Sequence, residues 1–106
     1  MDDELKLNPN WSRRRQNRAA AFQFFFQWEM NRPDELGQAL DEFLARLGET
    51  PESFAYAAEL VDGMATNLET LDERIRSLVK NWDFSRIAKT DLSLLRVAVY
   101  ELLYGL

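Results

Sequence analysis

The hydrophobic positions of this chain recur at intervals of three and four residues, and the alternation typical of strands is absent. This spacing predicts an all-α fold. The first helix is predicted to begin near Ser12, a favourable N-cap residue, and to run to about Asn31. A second helix is predicted between Pro33 and Gly48. Its apolar stripe consists of Leu36, Ala39, Leu40, Phe43, Leu44 and Leu47.

The middle of the chain predicts a long helical region with one bend. Thr50 followed by Pro51 is a strong start signal, because proline suits the first helical position. The apolar stripe then continues to Val79, with a bend predicted near Asn67. Gly63 lies inside this helix, where glycine costs about 1 kcal/mol relative to alanine. Close backbone approach by a neighbouring helix would explain the glycine.

The last predicted helix is the most hydrophobic one. After a break at residues 81–83 and a short turn at 84–88, Thr90 or Asp91 is the expected N-cap. Eleven of the sixteen residues from 91 to 106 are apolar or aromatic. A helix that is apolar around most of its circumference belongs in a core. The side chains expected in the core of this bundle are Phe22, Phe25, Leu95, Ala98, Val99 and Leu102.

If nothing covers the last helix, a large apolar patch would remain, and such patches mark interaction sites or aggregation liabilities. We therefore expect marginal stability and either self-association or binding of a helical segment through the face around Val97, Tyr100 and Tyr104.

Length and composition indicate one globular domain without a catalytic apparatus. The chain has 106 residues, of which 46% are hydrophobic and 29% charged. It contains no cysteine and no histidine, which argues against disulfides, thiolate chemistry, metal hydrolases and serine–histidine triads. No catalytic residue, metal ligand or cofactor is predicted. No apolar run approaches a membrane span and no signal peptide is evident, so we expect a cytoplasmic protein with a disordered tail over residues 1–11 and a domain over 12–106.

The charge is distributed unevenly along the chain. The net charge is −5, yet the segment between Trp11 and Trp28 has four arginines and no acidic residue. These are Arg13, Arg14, Arg15 and Arg18. Cations at a helix N-terminus oppose the macrodipole, so their placement suggests an external anion. Guanidinium groups suit phosphate, and the cluster is a candidate nucleic-acid site. A solvated helix start is the alternative, and composition does not decide between the two.

Aromatic residues crowd the second half of the first helix. Phe22, Phe24, Phe25, Phe26 and Trp28 could stack on bases, but core packing is the preferred interpretation. Phe22, Phe25 and Phe26 share one face, whereas Phe24 points off it. Adjacent acidic pairs such as Asp72 and Glu73 are predicted to face solvent.

Several segments together resemble one family. They are R-R-R-x-x-R-x-x-A-x-Q-x-x-F-Q-W-E from Arg13, E-L-V-D-G-M from Glu59, L-D-E-R-I from Leu71 and W-D-F-S-R-I-A-K-T-D-L-S-L-L-R-V-A-V-Y-E-L-L-Y from Trp82. In order and spacing they resemble the NusB family of bacterial transcription antitermination factors. The last segment is the most specific, and the resemblance extends from about Arg13 to the end of the sequence.

The resemblance implies a helical protein that binds boxA RNA together with the ribosomal protein NusE and helps RNA polymerase pass terminators in ribosomal RNA operons. It implies RNA contacts for Arg14, Arg15 and Arg18, next to Arg13 in the same cluster. It also implies that Phe26, Lys89 and Asp91 lie near the RNA and partner surface.

The sequence departs from the family pattern at three points. Phe26 stands where tyrosine is usual, and Ala19 where glutamate is common. The family continues after E-L-L-Y with a P-x-x-V-A-I-N-E segment and two further helices, so a NusB-like bundle of about five helices, C-terminally truncated relative to the family, is expected.

Two other interpretations stay open. One is the NusB-like RNA-docking domain of a ribosomal RNA cytosine methyltransferase. The other is a helical protein-interaction domain without RNA affinity.

Overall fold

The computed structural model describes residues 8, 10–30, 35–48 and 51–105, and within these ranges the chain is helical without any strand. The helices are α1 (Arg13–Met30), α2 (Leu36–Arg46), α3 (Ala55–Thr66), α4 (Leu68–Leu78) and α5 (Lys89–Leu103), with 3₁₀ turns at Pro51–Phe54 and Phe84–Arg86. The predicted all-α architecture of about five helices is confirmed.

The sequence signals for three helix boundaries act as expected. The Ser12 hydroxyl accepts a hydrogen bond from the Arg15 amide at 3.2 Å, which is the geometry of an N-cap. Gly48 follows α2 with a φ of +76°, the left-handed conformation that favours glycine. The bend predicted near Asn67 is a break between α3 and α4. The predicted signals Asn31, Pro33 and Thr50 lie outside the described residues.

The predicted start of α5 is wrong. Its N-cap is Ala88, which makes no side-chain cap hydrogen bond, and not Thr90 or Asp91. Tertiary contacts fix the start instead. Ile87 packs against the core, and the Lys89 ammonium lies 3.8 Å from a carboxylate oxygen of Glu29 on α1.

Helices α1 and α5 pack antiparallel, and α3 lies against both. Arg18, early in α1, bonds to Glu101 late in α5, whereas Glu29, late in α1, bonds to Arg96 nearer the start of α5. The core between the helices contains Ala20, Ala21, Phe24, Phe25, Leu40, Phe43, Phe54, Ala57, Leu60, Val61, Met64, Leu71, Ile75, Leu92, Val97 and Val99.

The buried face of α1 is wider than the sequence indicated. Phe25 is fully buried as expected, but so is Phe24, which was expected to point away from the core. Phe24 contacts Phe43 of α2 edge-on, with ring centroids 5.6 Å apart. Because α2 covers the flank of α1 that α3 and α5 leave open, a second arc of the helix is buried. Phe22 and Phe26 are only half-buried.

The buried face of α5 also differs from the prediction. Val99 is buried and Leu95 is half-buried, but Ala98 is exposed and Leu102 is 83% exposed, so their assignment to the core is wrong. Val97, expected on the free face, is buried. Arg96 lies at the middle of the buried arc of α5 with Val97 and Val99 at its flanks, and Leu94, Ala98 and Leu102 form the exposed side.

A buried ion-pair cluster joins α1, α4 and α5. The Arg96 guanidinium donates to Glu29 at 2.8 Å and to both carboxylate oxygens of Asp72 at 2.8 and 2.9 Å. Asp72 was expected to face solvent, but this bidentate contact draws it inward. Burial lowers the pKa of Arg96, but the hydrogen bonds and attraction from Asp72 and Glu29 outweigh burial, so the net pKa is raised. Arg96 therefore stays charged throughout the stable pH range of a protein.

Removing Arg96 should leave two poorly solvated carboxylates without their partner. We expect Arg96→Met to lower the free energy of unfolding by about 3–5 kcal/mol. Adding Glu29→Gln and Asp72→Asn should recover part of that loss, and Arg74→Met on the exposed side of α4 should change stability by about 0.5 kcal/mol or less. Urea unfolding measures all four proteins. An Arg96→Met loss no larger than that of Arg74→Met would contradict the structural role.

Gly63 is explained by an aromatic ring from α5. A Cβ added at Gly63 would lie 2.0 Å from the hydroxyl oxygen of Tyr100 and 2.3 Å from the ring carbon that bears it. The side chain of Tyr100 therefore approaches this glycine closely, and the expected close approach of a helix backbone is wrong.

This contact predicts that the effect of Gly63→Ala depends on Tyr100. In the natural background the substitution should destabilise by about 1–3 kcal/mol through overpacking. In a Tyr100→Ala background the ring is gone, and the helix preference of alanine should stabilise by up to about 1 kcal/mol. A double-mutant cycle in urea measures the difference. Equal effects in both backgrounds would show that the two residues do not touch.

The exposed side of α5 carries Leu94, which is 52% exposed, and Leu102, and the exposed Tyr104 follows the helix as its C-cap residue. Self-association of the chain stays a prediction, now assigned to this side. Sedimentation should show a mass that rises with concentration, and Leu94→Lys with Leu102→Lys should abolish the rise. A concentration-independent monomer for the unsubstituted chain would refute it.

Candidate nucleic-acid interface

The four arginines lie on the first turns of α1, and the segment before the helix folds back on them. The Trp11 amide donates to the Asn8 carbonyl at 3.0 Å. The Gln16 side chain donates to the carbonyls of Asn8 and Trp11 at 3.1 and 3.3 Å. Of the tail predicted to be disordered, residues 1–7 and 9 lie outside the described residues, and the described part is bonded to α1.

Two of the arginines stack on aromatic rings. The guanidinium carbon of Arg14 lies 4.0 Å from the centroid of the Tyr56 ring on α3. That of Arg15 lies 4.5 Å from the Trp11 ring. Stacking uses the face of a guanidinium and leaves the N–H groups at its edge available for phosphate oxygens. Both arginines are exposed, so the two stacks hold cations at the surface in defined positions.

The other two arginines have polar partners. Arg18 donates from Nε to both carboxylate oxygens of Glu101 at 2.8 and 2.9 Å, and its side chain remains 46% exposed. Arg13 makes a long contact, 3.5 Å, with the Ser53 carbonyl. Glu101 thus offsets one of the four charges, and the positive excess of the turn comes mainly from Arg13, Arg14 and Arg15.

A buried asparagine fixes this turn relative to α3. The Asn17 side chain donates to the carbonyls of Arg13 and Ser53 at 2.8 and 2.9 Å, and its oxygen accepts the Ala57 amide at 2.8 Å. Since Ala57 follows Tyr56 directly, the same bonds position the tyrosine ring under Arg14. Sequence reasoning missed Asn17, although an amide inside an arginine cluster on a helix is a polar position that needs partners when buried.

Tyr56 and Glu101 also belong to the site and were missed. The Tyr56 hydroxyl donates a hydrogen bond to Glu101, which links α3 to α5 next to Arg18. Burial and the Glu101 hydrogen bond raise the pKa of Tyr56 against the lowering effect of Arg14, so the phenol stays protonated at neutral pH. No local signal pairs residues 45 positions apart in the chain.

The arginine turn, which comprises Arg13, Arg14, Arg15 and Arg18 at the start of α1, does not include Lys89, Asp91 or Phe26. Lys89 precedes Glu101 by twelve residues of α5, a distance of about 18 Å along a helix axis. Lys89 instead neighbours Glu29 at the far end of α1. Asp91 is exposed beside an open cleft lined by Trp82, Leu94 and Leu95. Phe26 is half-buried on α1.

Other kinds of site find no support within the described ranges. No cluster of three or more acidic side chains there could hold a metal ion. No helix there combines the length and apolarity that a bilayer crossing needs.

The comparisons with known proteins agree on one family. The NusB family model matches residues 15–105. A transcription antitermination protein NusB from Oleidesulfovibrio alaskensis is 40% identical over 102 residues, covering 90% of this chain and 65% of the relative. One from Salinispora arenicola is 39% identical over 93 residues, covering 86% and 67%. One from Geotalea uraniireducens is 52% identical over 52 residues, covering 49% and 36%.

The chain thus spans two thirds or less of the length of most of these relatives. No solved structure matches it significantly. The methyltransferase domain and the RNA-free interaction domain gain no support from these matches. With a family model over residues 15–105 and relatives at 39–40% identity over most of the chain, the protein belongs to the NusB family.

Proposed function

We propose that this chain is an RNA-binding transcription antitermination factor and that it contacts single-stranded RNA through the first turns of α1. The observation that carries the proposal is the arginine turn. Four exposed arginines lie there, and the guanidinium groups of two of them lie over aromatic rings. Such groups can bind several successive phosphates of a nucleic-acid backbone.

The charge distribution supports RNA over a protein ligand at this turn. The chain as a whole is acidic, with a net charge of −5, and residues 31–106 contain 14 acidic and 8 basic residues. A local cationic surface on an acidic body attracts a polyanion to one place and repels it elsewhere. The relatives named above are called transcription antitermination proteins, which fits an RNA ligand and a non-catalytic role in the cytoplasm.

The finer assignment is boxA-type RNA bound together with NusE, with RNA polymerase engaged indirectly. The distance between the two ends of the α1–α5 pair supports assigning RNA to one end and the protein partner to the other. Lys89 and Asp91 lie about 18 Å and about 15 Å along α5 from Glu101, too far to share one nucleotide with the arginine turn. We therefore assign Phe26, Lys89 and Asp91 to the protein partner and Arg13, Arg14, Arg15 and Arg18 to RNA.

Salt dependence of RNA binding tests the arginine site. Three or four neutralised phosphates predict a slope of log affinity against log salt of roughly −2 to −3 for single strands. Replacing Arg14, Arg15 and Arg18 by alanine should bring the slope close to zero and weaken binding at low salt. Fluorescence anisotropy with a labelled single-stranded RNA measures both quantities.

The matched control removes the same charge from another surface. Arg74, Lys80 and Arg86 are exposed and lie on or after α4. Replacing these three by alanine should leave the slope within error of the natural protein. An unchanged slope in the α1 triple variant, or an equal change in both triple variants, would refute binding at the arginine turn.

A further inference from the structure

A cleft between α1, α3 and α5 adjoins the arginine turn and has the composition of a nucleobase pocket. Its volume is about 510 Å³, within the range of roughly 300–1,000 Å³ typical of small-ligand sites. It is lined by Arg14, Arg18, Tyr56, Ala98, Glu101, Leu102 and Gly105. Three elements distant in sequence thus contribute one ring, two cations, one carboxylate and two apolar side chains.

We propose that this cleft binds one unstacked base of a single-stranded RNA, preferably guanine, with Tyr56 and Arg14 as the stacking surface and Glu101 as the hydrogen-bond acceptor for the base edge. The inference rests on the proposed RNA-binding function and names the chemical group that the site reads.

The stacking surface already exists in the free protein. The Arg14 guanidinium carbon lies 4.0 Å from the centroid of the Tyr56 ring, so a guanidinium and an aromatic ring meet at the cleft. Unpaired bases stack on aromatic rings and on guanidinium planes alike. The exposed Leu102 and Ala98 extend the apolar surface that a flat base would cover.

Glu101 sets the preference among bases. An ionised carboxylate only accepts hydrogen bonds, so it favours a base edge that carries adjacent donors. Guanine offers two such donors, at N1 and at the N2 amino group, and they match two carboxylate oxygens. A carboxylate beside a phosphate-binding turn is otherwise unfavourable, because it repels the backbone of the ligand.

The free protein keeps this carboxylate occupied. Its oxygens accept from Arg18 and from the Tyr56 hydroxyl. The Arg18 side chain is 46% exposed, and ion pairs at such exposed positions contribute little to stability. Arg18 can therefore turn to a phosphate at little cost while the base edge takes its place on Glu101. The Tyr56 hydroxyl holds the carboxylate in orientation during the exchange.

The test uses the full chain and oligouridylates of about eight nucleotides that contain one central guanosine, inosine or abasic site. Tyr56→Ala should weaken binding of the guanosine RNA by about 5- to 150-fold, the range for loss of one stacked base. It should change the salt slope little, because phosphate contacts remain. The loss should disappear with the abasic RNA. Trp82→Ala, at an exposed aromatic outside the cleft, should have no effect.

A separate variant tests the role of Glu101 as the hydrogen-bond acceptor for the base. The natural protein should prefer guanosine over inosine, which lacks the N2 amino group, by about tenfold or more. Glu101→Gln should bring the two affinities close to equality, whereas Glu59→Gln on the exposed side of α3 should keep the preference. If Tyr56→Ala does not fold, as judged by circular dichroism, stacking is tested instead with an RNA that carries 2-aminopurine in place of the guanosine. Its fluorescence should be quenched on binding to the unsubstituted protein.

The possible results distinguish a failure of the base pocket from a failure of the proposed RNA-binding function. Binding with an arginine-dependent salt slope, but without a Tyr56→Ala loss, 2-aminopurine quenching or guanosine preference, would overturn the pocket and leave RNA binding intact. A Tyr56→Ala loss that is equally large on the abasic RNA would also overturn it. Binding of no RNA at any salt concentration would instead refute the proposed function itself.

Discussion

The buried guanidinium of Arg96 is the constraint on which the rest of the structure depends. It joins Glu29 of α1 and Asp72 of α4 to α5 at distances of 2.8–2.9 Å. These bonds fix α5 antiparallel to α1 and set which of its faces points inward. A buried charge tolerates few alternative arrangements, because any register that separates it from its carboxylates is strongly disfavoured. Because this cluster fixes α5 relative to α1, it also sets the geometry of the candidate RNA site at the other end of the same helix pair.

The local part of this architecture could be predicted from the sequence. Ser12, Gly48 and the break at Asn67 act through caps and backbone preferences that a few neighbouring residues determine. The arginine turn was visible for the same reason, because its members are close in the chain. The apolar periodicity also gave the helices and their order, since period and length suffice for that.

Features that depend on distant residues could not be predicted. Phe24 is buried only because α2 lies beside it, and Leu102 is exposed because no described element covers its side of α5. Asn17, Tyr56 and Glu101 enter the site through contacts across 36 to 83 positions. A polar residue on a helix has many possible partners, and tertiary packing decides which one it meets. The arginine cluster was therefore found without the aromatic and acidic residues that contact it.

The central claim is that RNA binds where the start of α1, the start of α3 and the end of α5 meet. Mapping backbone amide shifts by NMR during titration with a single-stranded RNA tests it most directly, because it locates the contact without any substitution. The account predicts that the largest shifts fall at residues 11–18, 53–57 and 98–105. Shifts concentrated instead between Trp82 and Leu95, at the opposite end of the α1–α5 pair, would contradict it.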